Sequence, residues 1–551
     1  MQTIAREQEW KDIHKRALLN ESFVEVSLEV TDPDALADAE AEDNGAIYTS
    51  NSSPVADSVE RTTHPYCTLE QNLWCLDGGR KAIPESDFMD DTYTSDVLSD
   101  ETCVFSSKRP TVTIAFDEVH NKLIPGLSIT WSETYNECAD TFEIIVYKEG
   151  NVVVTKEVTG NKSIKTLVLF DVVDYDRIEV VIKKWCLPNR RARVEAILLG
   201  LNKVYGKGEL FSYSHSQHVD PLSTSLPKSE IKFSVDNTDR MYDISNPQSL
   251  ARYLTKNQEV KVRYGLKMDD GTIEWIKGGV FYLSEWNAKM NGMTADFTAR
   301  DLFGFMSDIV PDSDIPGEPI SGYRGLGYLA EELLNRANLP SGGSSDHRWV
   351  ISDSLRSIRC DAPVDADTIA NNLQLLANAG KCVLYQDRDG IIHIEPRNNE
   401  DADYEISHFN SYTKSESSLS MPVKQVRVKK YAYSVGPAPD YELQSRVEKE
   451  ISYPADEDIP SGVYGETIIV DNPFVCVYDE DALGVAEWMY NYLNNRVTLE
   501  SSWRADVRMD ALDIVRNRDD YNTNRVCMTD VEYTYNGAFR ATGKGKVIGN
   551  G

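Results

Sequence analysis

The sequence predicts a mainly β protein with some α-helix, an α+β fold class. Segments that alternate apolar and polar residues recur along most of the chain, beginning with SFVEVSLEV at 22–30. Asp-Gly and Asn-Gly pairs between such segments, as at Asp270-Gly271, indicate tight hairpin turns. Helical spacing is confined to a few stretches. With 551 residues, the chain is long enough for several domains.

The N-terminal stretch 1–17 is predicted to be a short helical arm. Trp10, Ile13 and Ala17 recur at the spacing of one helix face. This face could pack on its own domain or dock on a neighbouring subunit. Charged residues interrupt the stretch, so it does not have the pattern of a secretory signal peptide. We also find no run of about 18 apolar residues, so no membrane span is predicted.

The net charge argues against nucleic-acid binding. The formal charge is −32, from 57 Lys and Arg against 89 Asp and Glu. Binding to phosphates needs basic patches, so this composition disfavours a nucleic-acid partner. The nine cysteines are odd in number and contain no Cys-x-x-Cys pair, which favours reduced thiols of a cytosolic assembly environment. Pairing of Cys67 with Cys75 is the alternative.

A self-contained β domain is predicted between residues 66 and 200. Its strands follow one another closely with polar turns, and Gly150 marks a hairpin in YKEGNVVV. This pattern indicates a β-sandwich or jelly roll. The segment ARVEAILLG at 192–200 resembles the closing strand of galactose-binding jelly rolls.

The later part of the chain alternates between strands and helices. Strands with turns at Asp270-Gly271 and Asn291-Gly292 are expected before residue 310. A helix is predicted in DADTIANNLQLLANAG, with Asp367 as its N-cap and Gly380 at its end. A hairpin at Asp389-Gly390 follows, and the last 150 residues are again mainly β with one helix.

The stretch IKFSVDNTDRMYD at 231–243 has the oxygen-rich composition of a calcium loop. An EF-hand loop needs oxygen ligands at positions 1, 3 and 5, Gly at 6 and Glu at 12. Counted from Asp236, position 5 is Arg240 and position 12 is Pro247, so the register fails. The stretch is better interpreted as a strand end with a turn. Asp236 and Asp239 then either cap the chain locally or contact an arginine of a neighbouring subunit.

Motifs of common catalytic sites are missing from the sequence. It contains no Gly-x-Ser-x-Gly, His-Glu-x-x-His or phosphate-binding loop motif. His215 and His218 are close in sequence but lack a third ligand at a recognisable spacing. Paired carboxylates for glycoside hydrolysis stay open in so acidic a chain. We therefore predict no enzyme, no cofactor and no metal site.

Two clusters are candidates for contacts. Trp131 and Tyr135 lie near a strand end and could stack on a sugar ring, although core packing is the more common role of such aromatic residues. Arg190, Arg191 and Arg193 could form an inter-subunit or inter-domain salt-bridge patch against the acidic surface.

Four stretches resemble the tail hub, or tail-tip baseplate hub, proteins of phages and prophages of Gram-positive bacteria. One of them contains a helix, a strand, the turn Asp-Arg-Asp-Gly, a second strand and then the pair Glu-Pro. Another is the late segment that ends in GKGKVI. The four stretches are 214–243, 260–286, 373–396 and 508–547.

The resemblance implies a domain organisation. Hub proteins have two β-barrel domains of related fold. Here they would comprise 18–35 plus 200–310, and 401–551 with one helix. A mixed α/β domain would occupy 311–400. Residues 36–199 would be an insertion with the jelly-roll or sandwich fold.

The resemblance also implies a function. Hubs form trimeric rings that close the distal end of the tail tube, line the DNA channel, and contact the tube or distal tail protein, the tape measure protein and spike or fibre proteins. The expected location is the virion, after assembly in the host cytoplasm. Because the chain ends soon after the last hub-like strand, no hydrolase extension is expected. The alternatives are a host-adsorption protein that binds a cell-surface glycan through 66–200, and a cell-wall hydrolase.

Overall fold

The structure is a computed structural model that describes most of the chain. It describes residues 5–16, 20–30, 35, 38–57, 63, 70, 89–121, 123–246, 249–289, 292–311, 325–339, 348–364, 367–435 and 443–550. Cys67, Cys75, Ala17 and Asn291 lie outside this set. The chain divides into two compact units. The first comprises residues 1–26, 205–340 and 346–551, and the second comprises residues 27–204 and 341–345.

The fold is mainly β with some helix, as predicted. The helices are α1 (Glu7–His14), α2 (Leu302–Met306), α3 (Leu326–Arg336), α4 (Asp353–Ser357), α5 (Ile369–Ala379) and α6 (Asp479–Leu493). In the described part of the chain, no helix has the length and apolar content that a membrane span requires.

Strands account for most of the regular structure. The first twelve are β1 (Ser22–Val30), β2 (Glu40–Asp43), β3 (Tyr93–Leu98), β4 (Thr111–His120), β5 (Ile124–Thr130), β6 (Ala139–Lys148), β7 (Asn151–Val158), β8 (Lys165–Val172), β9 (Tyr175–Trp185), β10 (Arg191–Val194), β11 (Ala196–Leu199) and β12 (Leu201–Tyr205). The others are β13 (Leu210–His218), β14 (Lys228–Asp236), β15 (Glu259–Lys267), β16 (Ile273–Ala288), β17 (Thr294–Arg300), β18 (Trp349–Ile351), β19 (Val383–Gln386), β20 (Ile392–Glu395), β21 (Asp401–Ile406), β22 (Glu416–Leu419), β23 (Val423–Val435), β24 (Leu443–Tyr453), β25 (Glu466–Asp471), β26 (Val497–Arg504), β27 (Ile514–Arg518), β28 (Thr523–Tyr535) and β29 (Phe539–Asn550).

The second unit contains a five-stranded and a three-stranded antiparallel sheet. The larger sheet has the order β2-β4-β9-β6-β7, and the smaller has the order β11-β5-β8. Strands β10 and β3 form a further antiparallel pair. Alternate residues of both larger sheets, such as Ile144 and Ile129, belong to one buried cluster. This is how two sheets share a core when strand side chains alternate between faces.

The first unit contains a long open sheet where two barrels were predicted. Its order from β1 is β1-β15-β16-β17-β14-β13-β28-β29-β26-β22, and β27 pairs with both β28 and β21. Within the described residues no sheet closes on itself. The reason is the position of β13, which pairs with β14 on one side and β28 on the other. The backbone hydrogen-bonding groups on both edges of β13 are therefore occupied, and β13 joins the strands of the first predicted barrel to those of the second.

Between these strand groups lies a helical and β segment that shares one core with the last part of the chain. Strand β20 pairs with β18 and β19, and α3 and α5 pack nearby. The buried cluster around Leu333 and Leu373 continues to Val426 of β23 and Met489 of α6. Residues before and after the predicted domain boundary at 400 therefore belong to the same hydrophobic core.

Helix α1 packs on its own unit. Trp10 and Ile13 are fully buried, as the predicted helix face requires. The indole Nε1 of Trp10 donates to Oδ1 of the buried Asp506 at 3.1 Å. Lys11 also forms an ion pair with Asp403 at 2.7 Å. Of the two alternatives for the arm, the structure shows packing on its own domain.

The N-cap of α5 is Thr368, where the sequence predicted Asp367. The Thr368 hydroxyl accepts the backbone N–H of Asn371 at 3.3 Å. Asp367 precedes the cap, and its carboxylate accepts the side-chain N–H of Asn371. Both residue types can cap a helix, so the sequence pattern does not distinguish adjacent positions.

We expect Thr368→Ala to lower the free energy of unfolding of the first unit by about 1 kcal/mol, the usual cost of losing an N-cap. Asp367→Ala is the matched control and should cost about 0.5 kcal/mol or less, as exposed substitutions do. Chemical denaturation followed by circular dichroism measures both. A larger loss for Asp367→Ala would show that the cap is misassigned.

Candidate functional site: a buried ionic junction

An ion pair in the first unit joins a buried arginine to a partly exposed aspartate, Asp510, whose side chain is 25% exposed. Arg388 lies in the turn between β19 and β20 and is only 5% exposed. Its Nε donates to Oδ1 of Asp510 at 2.9 Å, and its Nη2 lies 2.8 Å from the same oxygen. Nη1 donates to the carbonyl of Lys277 at 2.8 Å. Nη2 also donates to the carbonyls of Val507 and Met509 at 2.7 and 3.1 Å.

The four stretches that resemble hub proteins meet at this ion pair. Gln217, from the first stretch, donates to Oδ1 of Asp510 at 3.1 Å and accepts the backbone N–H of Ala511 at 2.9 Å. Lys277 comes from the second stretch, Arg388 from the third and Asp510 from the fourth. The planar guanidinium presents several donors in fixed directions, so it binds the second and fourth stretches at once. The first stretch joins them through the bond from Gln217 to Asp510.

A neutral histidine lies beside the pair. His215 is buried on β13, with Nδ1 2.9 Å from the Tyr264 hydroxyl and Nε2 2.9 Å from the Ser229 hydroxyl. Burial, together with the smaller effect of the positive charge of Arg388, lowers the pKa of His215 to about 3. The imidazole is therefore neutral at pH 7 and contributes hydrogen bonds without charge.

The second histidine of the His-x-x-His pair has different surroundings. His218 lies three residues further along β13 and therefore on the other face of the strand. Its Nδ1 lies 2.7 Å from Oδ1 of Asp530. Over the residues that the structure describes, no three His, Cys, Asp or Glu side chains are arranged to hold a metal ion.

A cavity of about 330 Å³ lies next to the junction. Its lining includes Arg388 and Asp510, together with His393 and Asp301. His393 is already bound by Asp387, with Nε2 to Oδ2 at 3.0 Å. Asp301 accepts the backbone N–H of Gly304 at 2.9 Å as the N-cap of α2, and burial raises its pKa to about 7. These polar groups are bound to neighbouring protein groups, which fits a role in holding segments together.

The pH dependence of stability tests the state of His215. Its folded pKa of about 3 is below the ordinary 6.5, so the unfolded chain binds the proton more tightly. The stabilisation is complete above pH 6.5 and is lost as the pH falls toward 3. Between pH 7 and 4.5, we expect His215 to account for a loss of about 2.5 kcal/mol in the free energy of unfolding.

The variant His215→Gln isolates this contribution, because it retains hydrogen-bonding groups without the titration. Denaturant unfolding of both proteins at each pH gives the comparison, in which acidic groups common to both cancel. If the two proteins lose stability in parallel, His215 is not buried in the neutral form.

The three predicted arginines are paired within the second unit. Arg190 Nε donates to Glu137 at 3.0 Å. Arg191 Nε lies 3.0 Å from Glu70, and Arg193 Nη2 donates to both oxygens of Glu70 at 3.0 and 2.8 Å. These acidic partners lie in the same unit as the arginines. A contact of the three arginines with a neighbouring subunit stays a prediction. Buried arginines need such partners to offset the loss of water.

The predicted aromatic pair belongs largely to the core of the second unit. Trp131 is 0% exposed, and its Nε1 donates to the Thr166 hydroxyl at 2.8 Å. Its ring contacts Phe142 edge-on, with centroids 4.9 Å apart. Tyr135 is half-buried, and the Arg193 guanidinium lies 4.2 Å from its ring centroid. Trp131 therefore has the core role that was the alternative to a sugar contact.

Asp236 and Asp239 cap their own chain. Both oxygens of Asp236 accept hydrogen bonds from Thr238, from its N–H and its hydroxyl, each at 3.0 Å. Oδ1 of Asp239 accepts the N–H of Met241 at 3.1 Å. These are Asx turns, which end strands by replacing ladder hydrogen bonds with side-chain ones. An additional contact with a neighbouring subunit stays a prediction.

Arg388 and Asp510 were not among the residues singled out from the sequence. Their stretches were recognised, but a charged residue in an Asp-rich hairpin turn has the pattern of an exposed turn. The usable signal was the position of an arginine within a motif that also contains a tight turn, since buried arginines often bind several backbone segments.

No protein-family model matches the chain, and no curated protein sequence matches it. The solved structures to which it is similar include a 43 kDa tail protein of prophage MuSo2 from Shewanella oneidensis, at 12% identity and a TM-score of 0.41, covering 63% of this chain and 96% of that one. A tail protein from Neisseria meningitidis MC58 has 11% identity and a TM-score of 0.39, with 63% and 94% covered. The E. coli c3393 protein, a type VI secretion component similar to T4 tail proteins gp27 and gp5, has 7% identity and a TM-score of 0.36, with 62% and 73% covered.

Proposed function

We propose that the chain is a structural protein of a phage tail, a hub that closes the distal end of the tail tube and assembles as a homotrimer. The resemblance of four sequence stretches to hub proteins suggests this class. The observation that carries the proposal is the convergence of all four stretches on the ion pair of the buried Arg388 with Asp510. The stretches thus form one physical junction.

The chemistry of the junction fits a scaffold. Breaking a buried ion pair leaves an uncompensated charge, so the pair strongly disfavours any other arrangement of the segments that supply its partners. Arg388 also donates hydrogen bonds to three backbone carbonyls. These carbonyls belong to segments that are far apart in the sequence, so the arginine holds the segments together. A ring subunit needs such a fixed internal geometry because every interface in the ring depends on it.

The partners follow from this position in the tail. They are the tube or distal tail protein on one side, and the tape measure, spike or fibre proteins on the other. The net charge of −32 supports a DNA conduit, because an acidic lumen would repel the passing phosphates. The second unit would then be a decoration of the ring, in the virion.

The glycan-binding alternative has less support. Its leading contact, Trp131, is inside the core and donates its indole N–H to Thr166. A ring in this position cannot stack on a sugar without opening the unit. The cell-wall hydrolase alternative is tested directly by zymography on peptidoglycan.

Assembly is the decisive experiment for the hub. The purified full chain is examined by native mass spectrometry alone, and by electron microscopy after mixing with the tail-tube protein. We expect trimers, or rings that cap the tube. A monomer in the first measurement together with no ring in the second would overturn the proposal. Asp236→Asn keeps the Asx turn but removes the negative charge. It therefore tests whether the predicted contact of Asp236 with a neighbouring subunit contributes to assembly.

A further inference from the structure

Two buried cysteines of the first unit are in contact. Cys360 follows α4, and Cys476 precedes α6, 116 positions later in the sequence. Their sulfur atoms are 3.7 Å apart, and the two residues are 2% and 9% exposed. The Cys360 thiol also lies 3.7 Å from the Phe474 carbonyl. Both residues belong to the hydrophobic core that α3, α5 and α6 share.

The separation of the sulfur atoms suits a covalent bond. A disulfide has an S–S length of about 2.05 Å, so the two atoms would have to approach by about 1.7 Å. The two cysteines share one core within a single compact unit, so bond formation would not have to bring separate parts of the fold together.

The surroundings of the two thiols differ, and this gives each a distinct role. The backbone N–H of Asp361 donates to the Cys476 sulfur at 3.4 Å. A hydrogen bond from the Cys360 thiol, with this N–H as a smaller contribution, lowers the pKa of Cys476. The same pairing raises the pKa of Cys360, and burial raises it further. The Cys476 sulfur accepts this backbone N–H in addition to facing the Cys360 thiol, so we assign Cys476 as the attacking thiolate.

We propose that Cys360 and Cys476 are an oxidation site at which a small peroxide forms an intramolecular disulfide. The Cys476 thiolate attacks one peroxide oxygen, the O–O bond breaks, and the leaving hydroxide takes a proton to become water. Cys476 is then a sulfenic acid. Cys360 loses its proton and attacks the Cys476 sulfur, the S–O bond breaks, and a second water leaves. Two thiols lose two electrons in total, and one peroxide is reduced.

Other described cysteines provide internal comparisons. Cys382 contacts the Gly380 carbonyl at 3.4 Å, and Cys527 contacts the Leu512 carbonyl at 3.8 Å. Oxygen contacts of this kind offer no second sulfur to complete a disulfide. In the second unit, the Cys138 N–H donates to the Cys186 sulfur at 3.3 Å, so this pair could also react and must be distinguished.

The test uses the full chain and hydrogen peroxide. After brief treatment, free thiols are blocked, and the protein is digested without reductant and mapped by mass spectrometry. We expect a cross-linked peptide that contains Cys360 and Cys476, and a melting temperature for the first unit higher by about 5 °C because a long loop has been closed. A dithiol reductant should reverse both changes.

Variants assign the roles. Cys476→Ser should abolish the cross-linked peptide and leave Cys360 as a free thiol, while Cys527→Ser should leave the cross-link intact. The peptide map of the peroxide-treated chain without substitutions tests the proposal even if a variant fails to fold. Recovery of Cys360 and Cys476 as unlinked peptides, while the Cys138 and Cys186 peptides or higher oxidation products accumulate, would overturn the proposal.

Discussion

Replacement of Arg388 by methionine is expected to destabilise the first unit by about 3–5 kcal/mol. The methionine retains much of the apolar volume but removes the charge opposite Asp510, whose partly exposed carboxylate is left without its partner. The carbonyls of Lys277, Val507 and Met509 lose their donor as well. The midpoint of urea unfolding, followed by circular dichroism, measures the loss.

A matched control is an exposed pair with the same chemistry. Arg525 binds Asp401, with Nη2 to Oδ1 at 2.6 Å, on the surface of the same unit. Arg525→Met should cost about 1 kcal/mol or less, because water replaces the lost partner. Equal losses for Arg388→Met and Arg525→Met would contradict the assignment of a buried junction.

A double variant separates the lost pair from the stranded charge. Arg388→Met with Asp510→Leu removes both ions, so no buried charge stays unpaired. Replacing a buried ion pair by apolar residues is often close to neutral. We therefore expect the double variant to be more stable than Arg388→Met alone. The size of the recovery in a double-mutant cycle measures the coupling between the two residues.

Truncation of Trp131 to alanine is the second large effect. We expect a loss of about 3–5 kcal/mol in the second unit, from the cavity and the lost contacts with Phe142 and Trp185. Trp131→Phe should cost less, because it mainly removes the hydrogen bond to Thr166. Tyr48, which is 74% exposed, provides the control Tyr48→Ala with a change of about 0.5 kcal/mol or less.

The melting temperature of the second unit, measured by near-ultraviolet circular dichroism, provides the readout. It also governs how glycan binding should be interpreted, because a Trp131→Ala protein that has lost its fold will lose any ligand. A Trp131→Ala protein that melts like the parent chain but loses a glycan signal would show that the ring contacts the sugar directly.

Turns and helix ends, which are determined by residues close together in the sequence, could be predicted from it. The hairpin at Gly150 is observed between β6 and β7, where Glu149 and Gly150 have φ of 49° and 79°. Such positive values favour glycine in a two-residue turn. Helix α5 also ends at the predicted Gly380. In each case the signal lies within a few residues of the structure that it specifies.

Pairings between distant segments could not be predicted. The alternation of apolar and polar residues in β13 shows which side chains face the core. It does not show whether β13 pairs with β14, with β28 or with both, as the structure has it. The family resemblance favoured closed barrels, whereas β13 joins both strand groups. Arg388 was missed for the same reason, since its burial depends on Asp510, which lies 122 positions away.

The docking of helix α1 has a consequence for how the chain is made. The partner of Trp10, Asp506, is synthesised 496 positions later. Strand β13 also pairs with β28, in which Asp530, the partner of His218, lies 312 positions later. The second unit is nearly contiguous in sequence, so it can fold while the ribosome is still translating. The first unit can complete its structure only after its last strands have been synthesised, through contacts of high sequence separation that form slowly. A prematurely terminated chain would therefore carry a folded second unit beside unpaired strand edges, which are sites of aggregation.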